Sequence, residues 1–412
     1  MVELSLLRLY FEVSRLIGLS NLHYSFKERR FVLNHVPTVL YCLLLNVTYL
    51  LILPFALFLL TGNIYECPDK GMFGVVYNVV GLAELFTFVL LIGSTWIQRC
   101  RLQRLGNDLM GMLHRFRFAL GNDCRKKTLW KVLLTSSRFM LLTQQLVARD
   151  SVVHCEVNSK LRKTLLPYYR AAIVYSQIML LLVIYVDLTV YMVQVSGNWL
   201  LTNMTQKVED MIQDLKALPQ RGGLPREMAL RQILPAWRRL WRRCLHLDSV
   251  LRELLEVFQW QILFNLLTIY IFNLAALFRL WIYLSFDKNY NVYKGIVYSI
   301  LFLTHHLELL MHFSVFETNR SNWLELWGKV VKLWYTNYSG DGLKNRHGVM
   351  LSRQLEISLF YLNRKLQLHP QRVRRLHIAG LFDISKSSIH QMTRSLITNV
   401  MVLYQIAYKI YG

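Results

Sequence analysis

Charge is scarce in this chain. Only 18% of its 412 residues are Asp, Glu, Lys or Arg, and acidic residues are the scarcer sign, 25 against 48 basic. A soluble chain of this length is expected to fold as two or three domains with a more charged surface, so that class is excluded. Cysteine pairs are missing too. Cys42, Cys67, Cys100, Cys124, Cys155 and Cys244 are scattered without a CxxC spacing, which removes zinc and redox motifs. There is no HExxH, no Ser-His-Asp arrangement, no glycine-rich phosphate loop and no paired carboxylate in a believable context. The chain is therefore not read as an enzyme, and no cofactor or metal is implied. A cleavable leader is not read either: LSLLRLYFEVSRLIGL sets Arg8, Glu12 and Arg15 among apolar residues at helical spacing. A signal peptide would have an uninterrupted apolar centre, so this stretch reads as an amphipathic helix lying on a membrane face.

What the chain has is hydrophobicity, 54% of residues, gathered into runs. The longest reach the roughly twenty residues that cross a bilayer core. Four spans are plain, around 37–60, 73–97, 168–195 and 258–284. Three are weaker: 128–148 carries Lys131 and Arg138, 295–316 carries His305, His306, Glu308 and His312, and the closing helix covers about 388–411. The expectation is an all-α polytopic membrane protein with seven transmembrane helices.

Basic residues orient it. The segments before span one and at 98–127, 196–257 and 317–387 hold five, eight, ten and twelve Lys or Arg, against one, four and two at 61–72, 149–167 and 285–294. The N-terminus is then cytoplasmic and the C-terminus extracellular. The plan is a cytoplasmic amphipathic N-terminus (1–36), spans one to four (37–195), a cytoplasmic helical segment (196–257), spans five and six (258–316), a second cytoplasmic helical segment (317–387) and the closing helix (388–412). The sequons at Asn203, Asn319 and Asn337 fall on the inner side, where they stay unglycosylated. The formal charge of +23 is read as topology and lipid-headgroup contact, with no nucleic-acid partner. This orientation is opposite to that of G-protein-coupled receptors, and the Asp-Arg-Tyr and Asn-Pro signatures of that class are absent, which argues against a metabotropic seven-helix receptor. A transporter would show repeated halves with broken helices, and no internal repeat is visible.

In PAWRRLWRRCLHLDSVLRELLEVF, apolar residues at 237, 240, 241, 244, 245 and 251 predict a helix running into span five, with Arg238, Arg239, Arg242 and Arg243 on its other side. The segment 321–366 predicts two helices broken at Ser-Gly-Asp-Gly, 339–342. Ionisable residues inside spans are costly and usually face a partner or a cavity. Glu84, Arg138, Asp187 and Arg279 are the examples, and Glu84 is expected to pair with Arg138, Arg279 or His305. On one helix His305, Glu308 and His312 share a face, geometrically fit for a metal but read as a polar patch turned to other helices or a water-filled cavity. The outer halves of the spans hold Tyr77, Glu84, Gln145, Tyr175, Gln177, Asn273, Trp281, Tyr298 and His305, the mix of aromatics and polar groups that a small-molecule pocket needs. Cys67 and Cys155 lie in predicted outer loops, where a disulfide between them is chemically permitted.

The C-terminus is the most specific part. AGLFDISKSSI (379–389) followed by TNVMVLYQI (398–406) resembles the C-terminal signature of insect gustatory receptors, through Gly380, Leu381, Phe382, Thr398, the apolar run 400–404 and Gln405. Asn399 stands where that family has Tyr, and Ile406 where it has Phe. The resemblance implies a tetrameric, ligand-gated, non-selective cation channel of chemosensory neurons, a multi-pass protein of the plasma membrane. It implies small-molecule tastants as ligands, bound among the other helices, and homo- or hetero-tetramers with related subunits. In such receptors the seventh helix lines the pore and the cytoplasmic helices form an anchor. On a helix, Arg394, Thr398, Gln405 and Lys409 fall within an arc of about 60°, with Asn399 roughly 80° or more away. That stripe is the expected pore face, with Gln405 and Ile406 at the outer constriction, Thr398 and Val402 deeper, and Lys409 near a mouth.

Overall fold

The computed structural model describes residues 12–19, 22–25, 28, 30–33, 35–61, 72–115, 126–137, 140, 159–217, 224–286, 292–338, 377–378, 382–383 and 386–411. These residues are helical apart from short connections and two small antiparallel hairpins. The first pairs β1 (His23–Ser25) with β2 (Arg30–Val32), and the second pairs β3 (His377–Ile378) with β4 (Phe382–Asp383). After a short helical segment at 12–16, the helices are α1 (Val36–Thr61), α2 (Met72–Ile97), α3 (Arg99–Arg115), α4 (126–137), α5 (Ser159–Ala217), α6 (Leu224–Phe286), α7 (Val292–Tyr338) and α8 (Lys386–Tyr411).

Among the described residues four stretches are long and apolar enough to cross a membrane: Val36–Ala56, Val174–Asp214, Pro235–Phe278 and Gly295–Lys332. Of the other expected spans, 73–97 coincides with α2, within which Leu85–Ile97 is a shorter apolar stretch, 128–148 begins in α4, and 388–411 coincides with α8, whose polar residues lower its hydropathy. An apolar helix can pass through hydrocarbon because its backbone groups bond internally. On α1 the residues Leu40, Leu44, Leu51 and Phe55 are exposed, as suits a helix clothed by lipid rather than protein.

In the centre of the molecule the apolar stretches continue without a break into the more polar stretches beside them. α5, α6 and α7 have 59, 63 and 47 residues, so α5 alone is about 88 Å of helix at 1.5 Å per residue. The buried residues of α6, Trp237, Leu240, Cys244, Leu247, Leu251, Leu254 and Phe258, are spaced by alternating threes and fours. This is the heptad rhythm that keeps one seam facing a partner helix. α5 answers with Leu201, Met204, Val208 and Ile212, and Cys244 Sγ lies 3.3 Å from Met204 Sδ. Part of the expected apolar face of 237–251 meets α5, through Cys244 against Met204 and Leu251 against Gly197, while Leu245 is 40% exposed. At Gly197 of α5 the seam closes to backbone contact, since a Cβ there would meet Leu251 Cδ1 at 2.8 Å.

α1 packs on α5, α2 on α6, and α8 on α6 with a smaller contact on α7. α3 is amphipathic and carries the first hairpin: its Gln103 and Asn107 side chains donate to Phe31 O (2.8 and 3.3 Å), and Arg99 donates to Leu33 O (3.0 Å). Arg101 and Arg104 bridge to Glu256 (2.6 Å) and Glu253 (2.8 Å) of α6, while Lys329 of α7 bridges to Glu209 of α5 (2.7 Å). Asn203 is turned onto its own helix at Trp199 O, and Asn319 is buried against Gln194. α7 runs to Tyr338, and the expected break at 339–342 lies outside the described residues.

Candidate functional site

Two regions hold polar side chains where an apolar helix would be expected. The first is α8. Leu396 and Val400 are buried, and Met392, Leu403 and Tyr404 are half-buried on the same side, which is the side laid on α6 and α7. Arg394, Thr398, Gln405 and Lys409 point roughly 170° away from that direction and are exposed. Val402 and Ile406 flank them and are exposed too. Thr398 Oγ1 donates to Arg394 O (3.0 Å), so its hydroxyl is satisfied within the helix. Asn399 points elsewhere: its Nδ2 donates to Tyr270 Oη of α6 (2.8 Å), and that phenol also shares a hydrogen bond with Ser395 Oγ (2.9 Å). Near the end of the helix Tyr404 packs against Trp281, with ring centroids 5.6 Å apart.

The second region is a cluster of charge inside the bundle. Lys131 of α4 has no exposed side-chain surface. Its Nζ donates to Asp187 Oδ2 of α5 (2.9 Å) and to Glu308 Oε1 of α7 (2.7 Å), and it lies 2.5 Å from His312 Nε2. His312 Nε2 is also 2.7 Å from Asp187 Oδ2. Asn265 of α6 donates to Asp187 Oδ1 (2.9 Å), and Thr135 to Glu308 Oε1 (3.2 Å). The Tyr191 ring lies 5.5 Å from the ammonium. Four helices thus meet on one set of charges. Taking such charges out of water costs several kcal/mol per ion, recovered only when partners and hydrogen bonds are complete.

The cluster reassigns the histidine-rich face of α7. Glu308 and His312 do face one another's partners, and with Asp187 they place three possible ligand atoms within 4.8 Å. His305 is not part of it: its Nδ1 lies 2.7 Å from Leu301 O of its own helix, and its ring stacks on Phe272. The position a cation would take among the three is filled by the Lys131 ammonium. Lys131, Thr135, Asn265 and Tyr191 were not expected at a site. Lys131, Asp187, Glu308 and His312 do share one sequence signal, depth: each falls within two or three turns of the end of its span that is expected to be cytoplasmic.

Of the expected pocket, Tyr175 is buried and donates its hydroxyl to Tyr49 O of α1 (2.5 Å). Asn273 and His305 are buried, Gln177 is half-buried, and Trp281 is exposed. Leu180, Ile184, Leu301 and Phe272 pack together beside His305 and join α5, α6 and α7. Gln145, Gly380, Leu381, Cys67 and Cys155 lie outside the described residues, as do the side chains of Tyr77, Glu84, Tyr298, Arg138, Arg279 and Phe382.

A family profile described as "7tm Chemosensory receptor" matches residues 7–410. The curated protein named "Putative gustatory receptor 58c" of Drosophila melanogaster is 66% identical over 407 residues, covering 99% of both chains. Among solved structures, the insect olfactory receptor OR5 of Machilis hrabei superposes with a TM-score of 0.59 at 14% identity, covering 97% of this chain and 98% of that one. Its complex with eugenol gives a TM-score of 0.57 at 12% identity, covering 98% of each. At such identities the solved structures speak for the fold. With a profile spanning nearly the whole chain and a relative identical at two positions in three, the protein belongs to the 7tm chemosensory receptor family.

Proposed function

We propose that the chain is a gustatory receptor subunit, one of four around a ligand-gated, non-selective cation pore in the plasma membrane of chemosensory neurons, with seven spans, a cytoplasmic N-terminus and an extracellular C-terminus. The observation that carries the reading is the two-sidedness of α8. Its apolar side is used up on α6 and α7, while Arg394, Thr398, Gln405 and Lys409 form an exposed polar stripe in a helix otherwise suited to a membrane. Polar groups facing hydrocarbon are expensive, and a ring of such helices gives them water. Gln405 and Ile406 then form the outer constriction, with Thr398 and Val402 deeper. The relative's name supports tastants as the ligand class, and the eugenol complex of OR5 supports a small organic molecule held among the helices, where Tyr77, Glu84, Gln145, Tyr175, Gln177, Asn273, Trp281, Tyr298 and His305 are the candidate contacts.

Arg394 and Lys409 favour a heteromeric form of the same reading. Both sit on the stripe, roughly 23 Å apart, so four copies would place a ring of positive charge near each mouth and oppose cations. Mixed subunits would dilute those rings. Cysteine substitution along 394–409, with water-soluble thiol reagents applied during agonist-evoked current, tests the assignment. Current is expected to change at 398, 402, 405 and 409 and to hold at 396, 399 and 403. An even pattern, or protection at 405, rejects the pore face.

A further inference from the structure

A layer of buried carboxamides lies where α5 and α7 run side by side. Along that seam Tyr191, Gln194 and Asn198 of α5 meet His312, Val315, Asn319 and Asn322 of α7, at spacings of three and four that keep one face of each helix on the other. Gln194, Asn198 and Asn319 are 1, 9 and 5% exposed. Asn319 Nδ2 donates to Gln194 Oε1 (3.4 Å), Asn198 Nδ2 donates to Val315 O (3.0 Å), and Asn322 Nδ2 donates to Asn198 O (3.4 Å). Two atoms of the layer are closed off from the surface and have no hydrogen-bond partner, Gln194 Nε2 and Asn198 Oδ1. They belong to residues one turn apart on the same face, whose Cβ atoms stand about 5–6 Å from one another. A buried donor or acceptor left unpaired costs its full desolvation penalty, and here two such atoms are neighbours.

Turning the carboxamides over does not remove the shortage. Asn198 is fixed by Val315 O, which requires an N–H opposite it. Gln194 turns only if Asn319 turns with it, and an oxygen then stands where Nε2 stood. In either setting an orphaned end of Gln194 remains beside Asn198 Oδ1.

Both settings ask for the same ligand. It must donate to Asn198 Oδ1, and it must accept from Gln194 in one setting and donate to it in the other. It must be neutral, because the hydrogen bonds of these three side chains go to amide groups and to a backbone carbonyl, and an ion there would lose its hydration without a counter-charge. It must also be small. Tyr191, Val195 and Val315 pack together beside the layer, and Leu201, the next residue along the same face of α5, has no exposed surface. A single water molecule, with two hydrogens and two lone pairs, meets all of these conditions, and two to four polar partners are what a buried water has.

We propose that Gln194 and Asn198 form a binding site for one water molecule, held between the end of the Gln194 carboxamide and Asn198 Oδ1. Asn319 holds Gln194 in place, and Val315 O does the same for Asn198. The water is then part of the seam between α5 and α7, at the end of spans four and six that is expected to be cytoplasmic.

Electron cryomicroscopy of the full chain in detergent tests the site directly. In a map that shows ordered water elsewhere among the helices, a peak is expected about 2.7–3.2 Å from both the end of Gln194 and Asn198 Oδ1. Such a map without the peak overturns the proposal. Melting of variants gives a second reading. Gln194→Leu and Asn198→Leu each remove one arm of the bridge, and the double variant removes both. The two side chains share no direct hydrogen bond, so the water is what couples them. The double variant is expected to melt about 2 °C or more above the level to which the two single losses add. Additive losses overturn the proposal. The map needs no variant to fold, and neither measurement needs channel current, so this site and the pore face fail independently.

Discussion

Removing the amine of Lys131 would leave Asp187 and Glu308 buried with no ammonium between them. Breaking one side of a buried ion cluster costs about 3–5 kcal/mol, most of it the desolvation of the charges left behind. Lys131→Met is therefore expected to abolish a monodisperse peak in fluorescence-detected size exclusion. Adding Glu308→Gln should restore much of it, because one of the two buried carboxylates left without the ammonium is then gone. If the double variant is no better than the single one, the cluster is not held together by charge balance. This site was half legible beforehand. Asp187 stood out as an ionisable residue in a span, and Glu308 with His312 as a shared face. Lys131 registers in the sequence only as an interruption of the weak span 128–148. Its partners are 56 and 177 residues away, and helical periodicity carries no information about which helices are neighbours.

At the scale of elements, the long helices were easy to foresee because their signals are local. The apolar face of 237–251 and the arc shared by 394, 398, 405 and 409 follow from spacing alone. The junction between α6 and α8 was not foreseeable in this way. Asn399 differs from the family's tyrosine, and in the structure it meets a phenol supplied from α6 instead, Tyr270. Tyr270→Phe removes that hydroxyl and leaves Ser395 and Asn399 to find other partners. The expected loss is about 0.5–1.5 kcal/mol, read as a lower melting temperature. In a double-mutant cycle with Asn399→Leu the two losses should be less than additive. Full additivity would mean that the contact does not join the helices.

For the whole molecule, the centre is a heptad seam between α5 and α6 that lies mostly in the expected cytoplasmic segment, 196–257. The seam closes on Gly197 against Leu251. Gly197→Val would drive branched carbon into that contact, and overpacking of this kind costs about 1–3 kcal/mol. Leu251→Ala should relieve part of the cost, so the double variant is expected to melt higher than Gly197→Val alone. A double variant that melts lower than either single change would place the strain elsewhere.

Asp187 and Gly197 lie on the same helix, ten residues or about 15 Å apart. One is fixed by charge to α4, α6 and α7, the other by close approach to α6. A rigid rod held at two points along its length has a single remaining freedom, spin about its own axis. While both fixings hold, a disturbance at one end of α5 passes them as torsion and not as tilt. Swinging the rod requires one of the two to let go.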